Sequence, residues 1–396
     1  MSLVLTRMQN LRSSTNIDKN EYRASRYGAL DAFKAMSNDP DSIVTQEMKD
    51  KVNQSNGRVF EVPVIDYDGA ITIGSERTLE IADSENTSKM VTINFVTYAW
   101  GFTMVPVMYQ NNEIGAQRDF NTKMMKYIYK LGEKMDTDAL AQLATVKSKV
   151  INDPLIYDKT GNVINVNWKD RENILSDLEP IFSANDYYGP VHIVGNTGIQ
   201  SLLNKLNQKG EYNAVNKRLE FSGKSFGFTN RLTNEADQFA SGYAISGSQL
   251  GMLARFEREC LARTKTNLSY EWDITTLPVL DIPVGTYYYQ SVGDYNAIGG
   301  DATKDMKRNL KEHFGFAVDV AYITAYNSDA DTRPSPYLKF QIAKETVETT
   351  RKSLFQTQKI SLFQLRLSQR VRKFPYSIFT SKGRTAIAFL PFFNFI

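Results

Sequence analysis

The chain has 396 residues, of which 42% are hydrophobic and 12% aromatic. This apolar content is too high for a disordered chain, and the length indicates about two or three domains or subdomains rather than one packed core. The formal net charge of +3 favours no class of partner, and the single cysteine, Cys260, excludes a disulfide framework.

The first residues, MSLVLTRMQNLRSS, contain only a short apolar stretch before Arg7, which is unlike a signal peptide. No apolar run approaches the ~20 residues that a membrane-spanning helix needs. We therefore expect a protein that is made in the cytosol and does not enter a membrane.

Charge is unevenly distributed along the chain. From Thr349 to Ile396 there are nine lysines and arginines and not one acidic residue. The rest of the chain therefore carries a net charge of −6. A modestly acidic body with a basic tail is the strongest asymmetry in the composition.

Residues 1–56 are polar and weakly patterned, and a helix is expected only for a short stretch such as Tyr27–Met36. Too few apolar residues recur at regular spacing to close a core. We therefore interpret this segment as an arm rather than a domain.

From Gly57 the pattern changes to the alternation of strands, with turn signals at Asp68-Gly69 and Gly74-Ser75. Between Gly57 and Met90 there are seven acidic residues and three basic ones. Such a hairpin is too polar on both faces for a core sheet, so the sequence predicts a hairpin that projects from the body.

A long helix is predicted from about Glu113 to Lys149. Its apolar residues recur at spacings of four, four, three and four, which is typical of one helix face: Phe120, Met124, Ile128, Leu131 and Met135. Gly132 and a helix-start signal at residues 136–138 make a break in this helix compatible with the pattern at that point.

The second half of the chain mixes short strands with helices, which is typical of an α+β fold. The predicted strands are a hairpin over 155–166 and the segments Val191–Val194, Phe316–Tyr322 and Tyr337–Ile342. The predicted helices lie at about Trp168–Phe182, from Gly198 to near Gly210, Ser248–Ala262 and Asp301–His313.

Two histidines leave little for acid–base or metal chemistry. His192 lies within a predicted strand, where a structural role is expected. His313 ends a predicted helix, where a cation suits the dipole. Together with Cys260 they give no metal-ligand spacing.

Two motifs imitate binding loops. Gly223-Lys224-Ser225 resembles the end of a phosphate loop, but Arg218 stands where the first glycine would be. The series Asn327, Asp329 and Asp331 resembles the start of a calcium loop, but Thr332 replaces its glycine. We interpret the first as chance and the second as a turn.

Gly195-Asn196-Thr197-Gly198 lies between a predicted strand and a predicted helix, where an anion could bind. A tight turn with Thr197 near the helix cap explains it better. No catalytic, cofactor or metal site is predicted, so we expect a protein that is not an enzyme.

The order of parts carries a resemblance. A polar arm and a projecting hairpin are followed by Tyr98-Ala99-Trp100-Gly101-Phe102, which leads into the long helix. Val191–Asn196 opens a mixed segment, and Phe316–Tyr322 precedes the last strand at Tyr337. This order resembles that of the major capsid proteins of tailed bacteriophages, the Hong Kong 97-type fold that encapsulins share. The resemblance covers about residues 1–343 and rests on element order, because the family has no invariant motif.

The resemblance implies an α+β fold of the tailed-phage capsid type with an arm, an extended loop, a spine helix in a peripheral domain, and an axial domain. On this sequence the parts are the N-terminal arm (1–56), the extended loop (57–97), the peripheral domain with the spine helix (98–178), the axial domain (179–315), the return into the peripheral domain (316–343) and the basic tail (344–396). The tail is longer than the fold needs.

The function implied is that of a structural subunit that self-assembles into the icosahedral capsid of a tailed bacteriophage. Its partners would be further copies in hexamers and pentamers, scaffold, portal and minor capsid proteins, and packaged double-stranded DNA bound without sequence preference. No cofactor and no membrane partner are implied. The protein would assemble in the cytoplasm of the bacterial host and reside in the virion.

Two sets of residues are candidates for contacts. Acidic residues of the loop are expected to meet basic residues of the long helix in a neighbouring copy: Asp66, Asp68, Glu76 and Glu80 with Lys123, Lys126 and Lys130. The tail alternates apolar and polar residues and ends in an apolar segment that should dock on the body or on a neighbour. Its candidates for contact with DNA phosphates are Arg366, Arg370, Arg372 and Lys373.

Other interpretations are open. The basic residues of the tail could serve only to keep an apolar segment soluble or to pair with the acidic body. The whole chain could also be the subunit of an encapsulin-like compartment, or a soluble protein that binds nucleic acid through its tail.

Overall fold

The computed structural model describes residues 3–13, 27–54, 59–65, 88–109, 112–209, 224–255, 271–292, 310–327 and 331–345. The chain divides into two units, Met1–Lys344 and Glu345–Ile396. All elements named below belong to the first unit. They combine helices with three sheets, which confirms the predicted α+β class.

The helices of the described residues are α1 (Leu3–Ser13), α2 (Gly28–Ser37), α3 (Gln46–Gln54), α4 (Glu113–Val146), α5 (Ile174–Ala184) and α6 (Thr197–Lys209). The strands are β1 (Val59–Ile65), β2 (Ser88–Asn94), β3 (Val96–Met104), β4 (Asp158–Thr160), β5 (Val163–Val166), β6 (Val191–Gly195), β7 (Lys224–Phe228), β8 (Gln238–Ser246), β9 (Leu250–Arg255), β10 (Glu271–Thr276), β11 (Pro283–Val292), β12 (Leu310–Thr324) and β13 (Tyr337–Ala343).

The strands form three sheets. The hairpin β1–β2 is antiparallel, with Val62 opposite Val91. A second, antiparallel sheet has the order β10-β11-β12-β3, and β9 pairs with the last part of β12. The third has the order β4-β5-β13-β8-β6-β7, in which β5–β13 and β6–β7 are parallel pairs.

The long helix α4 has 34 residues and no break, so the prediction of its position is confirmed and the break at Gly132 does not occur. Asn112 caps its start by accepting a hydrogen bond from the Gly115 amide at 3.0 Å. Gly132 lies under the ring of Tyr27, where a Cβ atom would come within 2.6 Å of Cζ. The glycine therefore lowers helix propensity but permits close packing of the segment that precedes α2.

The buried carboxylate of Asp136 joins α4 to the N-terminus of α2. It accepts hydrogen bonds from the amides of Ala29 (3.0 Å) and Leu30 (3.1 Å) and from the Thr229 hydroxyl (2.6 Å). The N-cap residue of α2, Tyr27, makes no side-chain cap of its own. An acid from another helix therefore satisfies the first amides of α2 and complements its dipole.

The apolar cores follow α4 along its length. Its first two turns and middle, from Ala116 to Met135, pack with α1 on the inner face of the sheet that contains β3, β11 and β12. Its last part, with Ala139 and Leu143, packs with α2 against one face of the six-stranded sheet. Helices α5 and α6 cover the other face of that sheet. Asp136 lies at the change from one core to the next.

The interpretation of residues 1–56 as too weakly apolar to enter a core is wrong for the described part. Met8 and Leu11 of α1 and Leu30 and Phe33 of α2 are fully buried. The few apolar residues of the arm lie on one face of each short helix, and that face packs against α4 and the sheets. The predicted helix at Tyr27–Met36 is confirmed by α2.

Two predicted helices are wrong where the structure describes them. Leu250–Arg255, predicted as helical, is strand β9, and residues 310–313 belong to strand β12. In both cases pairing with other strands overrides a local spacing that imitates a helix, since β9 pairs with the end of β12 and residues 310–313 pair with β11 and β3. The remaining parts of both predictions lie outside the described residues. The predicted helix at Trp168–Phe182 is a 3-10 turn at Trp168–Asp170 followed by α5.

The predicted strands at 191–194, 316–322 and 337–342 are confirmed by β6, β12 and β13. A hairpin does form within 155–166, but its first strand is Asp158–Thr160, where the pattern predicts the turn, and not Leu155–Tyr157, where the pattern predicts the strand. The predicted boundary between residues 315 and 316 falls inside β12, which is one continuous strand. The final strand β13 lies beside β8 in the six-stranded sheet rather than beside β12. The division into peripheral and axial domains stays a prediction.

Replacing Asp136 should separate a capping role from simple burial of an acid. Asp136→Ala leaves two helix amides and a hydroxyl buried without an acceptor, so we expect the free energy of unfolding to fall by about 3 kcal/mol. Asp136→Asn keeps one acceptor oxygen and should cost about 1 kcal/mol. Urea denaturation of the unassembled subunit measures both, and equal losses would contradict the capping role.

Candidate assembly surface

The base of the hairpin is amphipathic. Val62 and Ile93 on one face pack against a small core formed by Val44, Leu253 and Ile323. The other face exposes polar residues and the side chain of Met90. The prediction that the hairpin is polar on both faces is therefore wrong for its described base, which is anchored to the body by one apolar face.

A buried ion pair fixes the strand that leaves the hairpin. Arg255 on β9 lies 3.5 Å from Asp319 on β12, and both residues are almost fully buried. The Thr97 hydroxyl on β3 donates to Asp319 at 2.6 Å, and the Arg255 guanidinium lies 4.2 Å from the centre of the Phe95 ring. Three strands are thus joined at the point where the hairpin meets the body.

The three lysines predicted to contact a neighbour are not equivalent. Lys123 forms an ion pair with Asp119 at 2.7 Å on the same helix and donates to the Thr103 carbonyl. Lys126 and Lys130 are exposed and form no ion pair within the part of the chain that the structure describes. Of the three lysines, Lys126 and Lys130 are therefore the two that are available to pair with an acidic residue of another copy.

The remaining predicted contact residues lie outside the described residues. They are the loop acids Asp66, Asp68, Glu76 and Glu80 and the tail residues Arg366, Arg370, Arg372 and Lys373.

Two exposed apolar surfaces were not predicted from the sequence. Met108, in the 3-10 turn Pro106–Tyr109 that precedes α4, and Ile114, in the first turn of α4, are 77% and 82% exposed. Ile156 and Tyr188 lie on two loops that are tied together by hydrogen bonds between Asn152 and Asn185. These large apolar side chains in water are candidates for a contact with another molecule.

The candidate anion site at Gly195–Gly198 is an ordinary helix start. The buried side chain of Asn196, rather than Thr197, caps α6 by accepting from the amides of Gly198 and Ile199. A Cβ atom on Gly198 would lie 2.5 Å from the Phe239 carbonyl oxygen. The glycine therefore permits the close contact between α6 and β8.

The other motifs also have structural explanations. Lys224 and Ser225 lie in β7, not in a phosphate loop. Asp331 pairs with Lys149 at 2.6 Å, and the Asn327 side chain donates to the Arg333 carbonyl, as a turn requires. No group of three or more potential metal ligands occurs among the described residues.

The two histidines are structural in the described fold. His192 lies in β6 beside Ser225, and burial lowers its pKa to about 4, so the ring is neutral at pH 7. His313 does not end a helix. It lies on β12 between Thr103 and Ser291, and burial followed by the charge of Lys311 lowers its pKa.

None of the described helices is both long enough and apolar enough to cross a bilayer. No known family model matches the chain, and no curated protein matches it.

Solved structures resemble the chain at low identity. A structure from Mycobacterium phage Che8 has a TM-score of 0.40 and 11% identity, over 75% of this chain and 88% of that one. The capsid structure of the cyanophage P-SCSP1u gives 0.41 and 11%, over 73% and 84%. The capsid of an empty GTA particle gives 0.39 and 12%, over 73% and 92%. With TM-scores below 0.5 these likenesses carry no weight in assigning a function, which rests on the chain's own residues.

The Arg255–Asp319 pair can be tested by comparing a broken pair with a replaced one. Asp319→Ala leaves a buried guanidinium without its carboxylate and should lower the free energy of unfolding by about 3–5 kcal/mol. The double change Arg255→Met with Asp319→Leu removes both charges and should recover most of that loss. Urea denaturation of the unassembled subunit is the measurement, and a double variant as unstable as Asp319→Ala would show that charge pairing is not the stabilising term.

Proposed function

We propose that this chain is the structural subunit of the icosahedral capsid of a tailed bacteriophage, which encloses double-stranded DNA. The observation that carries the proposal is the arrangement of parts in one subunit. An amphipathic hairpin is anchored by its base beside the end of a 34-residue helix, and this helix joins two separate sheets.

The hairpin gives the physical reason for assembly. Its base is held by the apolar face that contains Val62 and Ile93 and by the ion pair beneath Phe95. Residues 66–87, which continue from the hairpin, carry six acids and one base. A segment so rich in acidic residues gains little by burial within its own acidic subunit, whereas a neighbouring copy can supply cations.

The exposed apolar residues before and at the start of α4 and on the 152–157 and 185–190 loops support the same proposal. A subunit that met no other copy would keep Met108, Ile114 and Tyr188 in water. Assembly in a shell would cover them, since such side chains are enriched at protein interfaces. The role is structural rather than catalytic, and the shell is where the protein would be found.

Several finer assignments belong to the proposal as well. The copies would form hexamers and pentamers, with scaffold, portal and minor capsid proteins as further partners, and the subunit would assemble in the cytoplasm of a bacterial host. The acidic residues of the loop would pair with Lys126 and Lys130 of the long helix, because Lys123 already forms an ion pair with Asp119. These acidic residues are Asp66, Asp68, Glu76 and Glu80.

The tail adds a proposal about DNA. With nine basic residues and no acidic ones over 349–396, it could meet packaged DNA through phosphates, led by Arg366, Arg370, Arg372 and Lys373. A role in keeping the apolar end soluble is the competing interpretation.

Assembly is tested by expressing the full chain and examining it by sedimentation and negative-stain electron microscopy. We expect closed particles of uniform diameter that sediment far faster than a 44.9 kDa monomer. A protein that stays monomeric across concentration and salt would contradict the proposal. Particles that hold no nuclease-protected DNA after expression with the other phage components would favour an encapsulin-like compartment.

The role of the tail is tested with a chain that ends at Ala343. If the tail binds DNA, the particles should form with normal diameter but protect much less DNA from nuclease. Normal packaging by this shortened chain would remove the DNA role, and failed assembly would make the tail part of the subunit contact.

A further inference from the structure

A cleft of about 670 Å³ lies between the base of the hairpin, α3, the end of α4 and the end of β12. This volume is in the range of sites that hold small organic ligands. All four elements contribute to the lining, so a molecule in the cleft would contact the hairpin and the body at once.

The cleft is lined by apolar side chains that are in contact with water. Those that remain partly exposed come from all four elements: Met48 on α3, Val62, Val91 and Ile93 on the hairpin, Val146 at the end of α4, and Tyr322 and Tyr326 near the end of β12. An apolar ligand that replaced the water around these side chains would lower the free energy. The lining is therefore suited to an alkyl chain.

The charged side chains that line the cleft are basic. They are Lys147 and Lys149, and there is no aspartate or glutamate among the described residues of the lining. Lys149 pairs with Asp331, but both side chains are more than half exposed, so water screens this pair strongly. Lys147 is only partly exposed and forms no ion pair with any other described residue.

The charge of Lys147 is felt by a neighbouring base. The pKa of Lys339 is lowered first by burial and then by the charge of Lys147. Positive charge at this end of the cleft therefore favours an anionic group.

These features select a class of ligand. A nucleotide would place its polar sugar against Val62 and Ile93, where no water could replace its lost hydrogen bonds. A cationic amphiphile would meet the like charge of Lys147. An apolar chain with an anionic head satisfies both the lining and the lysines.

We propose that the cleft binds a single-chain amphiphile with a carboxylate head, such as a fatty acid. The carboxylate would accept hydrogen bonds from Lys147 and Lys149, and the alkyl chain would lie against Met48, Val62 and Ile93. The inference goes beyond the proposed function and does not depend on assembly. Bound ligand would add a contact between the hairpin and the body.

The first test is a calorimetric titration of the full-length protein with decanoate and octanoate, each below its micellar concentration. Because each buried CH₂ strengthens binding about fourfold, decanoate should bind one site about fifteenfold more tightly than octanoate. Decyltrimethylammonium, which has a similar chain and a cationic head, should bind at least tenfold more weakly than decanoate. Equal binding of the two head groups would overturn the proposal.

The second test fills the cleft without changing charge. Thr145 lines the cleft, and Thr145→Trp should weaken decanoate binding at least tenfold by occupying its space. Thr137→Trp is the matched control on the same helix. Both threonines are exposed and donate to the carbonyl four residues earlier, but Thr137 does not line the cleft. Undiminished binding by Thr145→Trp would contradict the site.

The third test removes the charge and keeps the cleft. Lys147→Gln with Lys149→Gln should weaken decanoate binding about tenfold, since two partly screened charge contacts are lost, and should leave the dependence on chain length unchanged. The control Lys126→Gln with Lys130→Gln should bind like the unaltered protein. An unchanged melting temperature without ligand verifies that each variant folds. Equal binding by the two pairs would overturn the assignment of the carboxylate.

Hydrogen exchange then locates the ligand independently of affinity. Decanoate should slow the exchange of amides in β1 and β2 and leave α5, on the far face of the six-stranded sheet, unchanged. Uptake of several equivalents without protection of the hairpin strands would show binding to exposed apolar residues such as Met108 and Ile114, and would overturn the proposal.

Discussion

The carboxylate of Asp136 is the contact on which the rest of the subunit depends. It is fully buried, and burial raises its pKa above the usual range while the Thr229 hydroxyl and the amides of Leu30 and Ala29 oppose that shift. Removing such a group from water costs several kcal/mol unless donors replace the water, and here three donors converge on it. The same residue lies where α4 leaves the core of one sheet and enters the core of the next. One side chain therefore fixes α2, the end of β7 and the long helix relative to each other.

A second set of contacts holds the base of the hairpin to the body. Strand β12 runs through the second sheet, with β3 on one edge and β11 and β9 along the other. The Arg255–Asp319 pair joins three of these strands just below the hairpin. The described hairpin is held at this base, and the acidic residues beyond it belong to a segment that we propose is completed by another copy.

Regular periodicity made part of this fold predictable. Helix α4 and strands β6 and β13 were found because one apolar face repeats at the helical or strand period over enough residues. Strand β9 was missed because Leu250 and Leu253 imitate a helical spacing, and only pairing with β12 decides the outcome. His313 was wrongly predicted to end a helix, because only pairing with β11 and β3 decides that its segment is a strand. The burial of the arm was not predicted because the few apolar residues of each short helix are covered by partners that are distant in the sequence.

The role of Asp136 could not be read from the sequence. An acid within a helical segment is compatible with a surface position or a helix start, and its true partners, Ala29 and Leu30, are more than a hundred residues away. By contrast, the acidic character of residues 66–87 was visible at once from composition.

The central claim is that the hairpin of one copy is completed by the body of another. A cryo-electron microscopy reconstruction of assembled particles, at a resolution that traces side chains, tests it most directly. The account predicts continuous density for residues 66–87 that extends from its own subunit and lies on a neighbouring one. Closed particles in which this segment folds back onto its own subunit, without touching a neighbour, would contradict it.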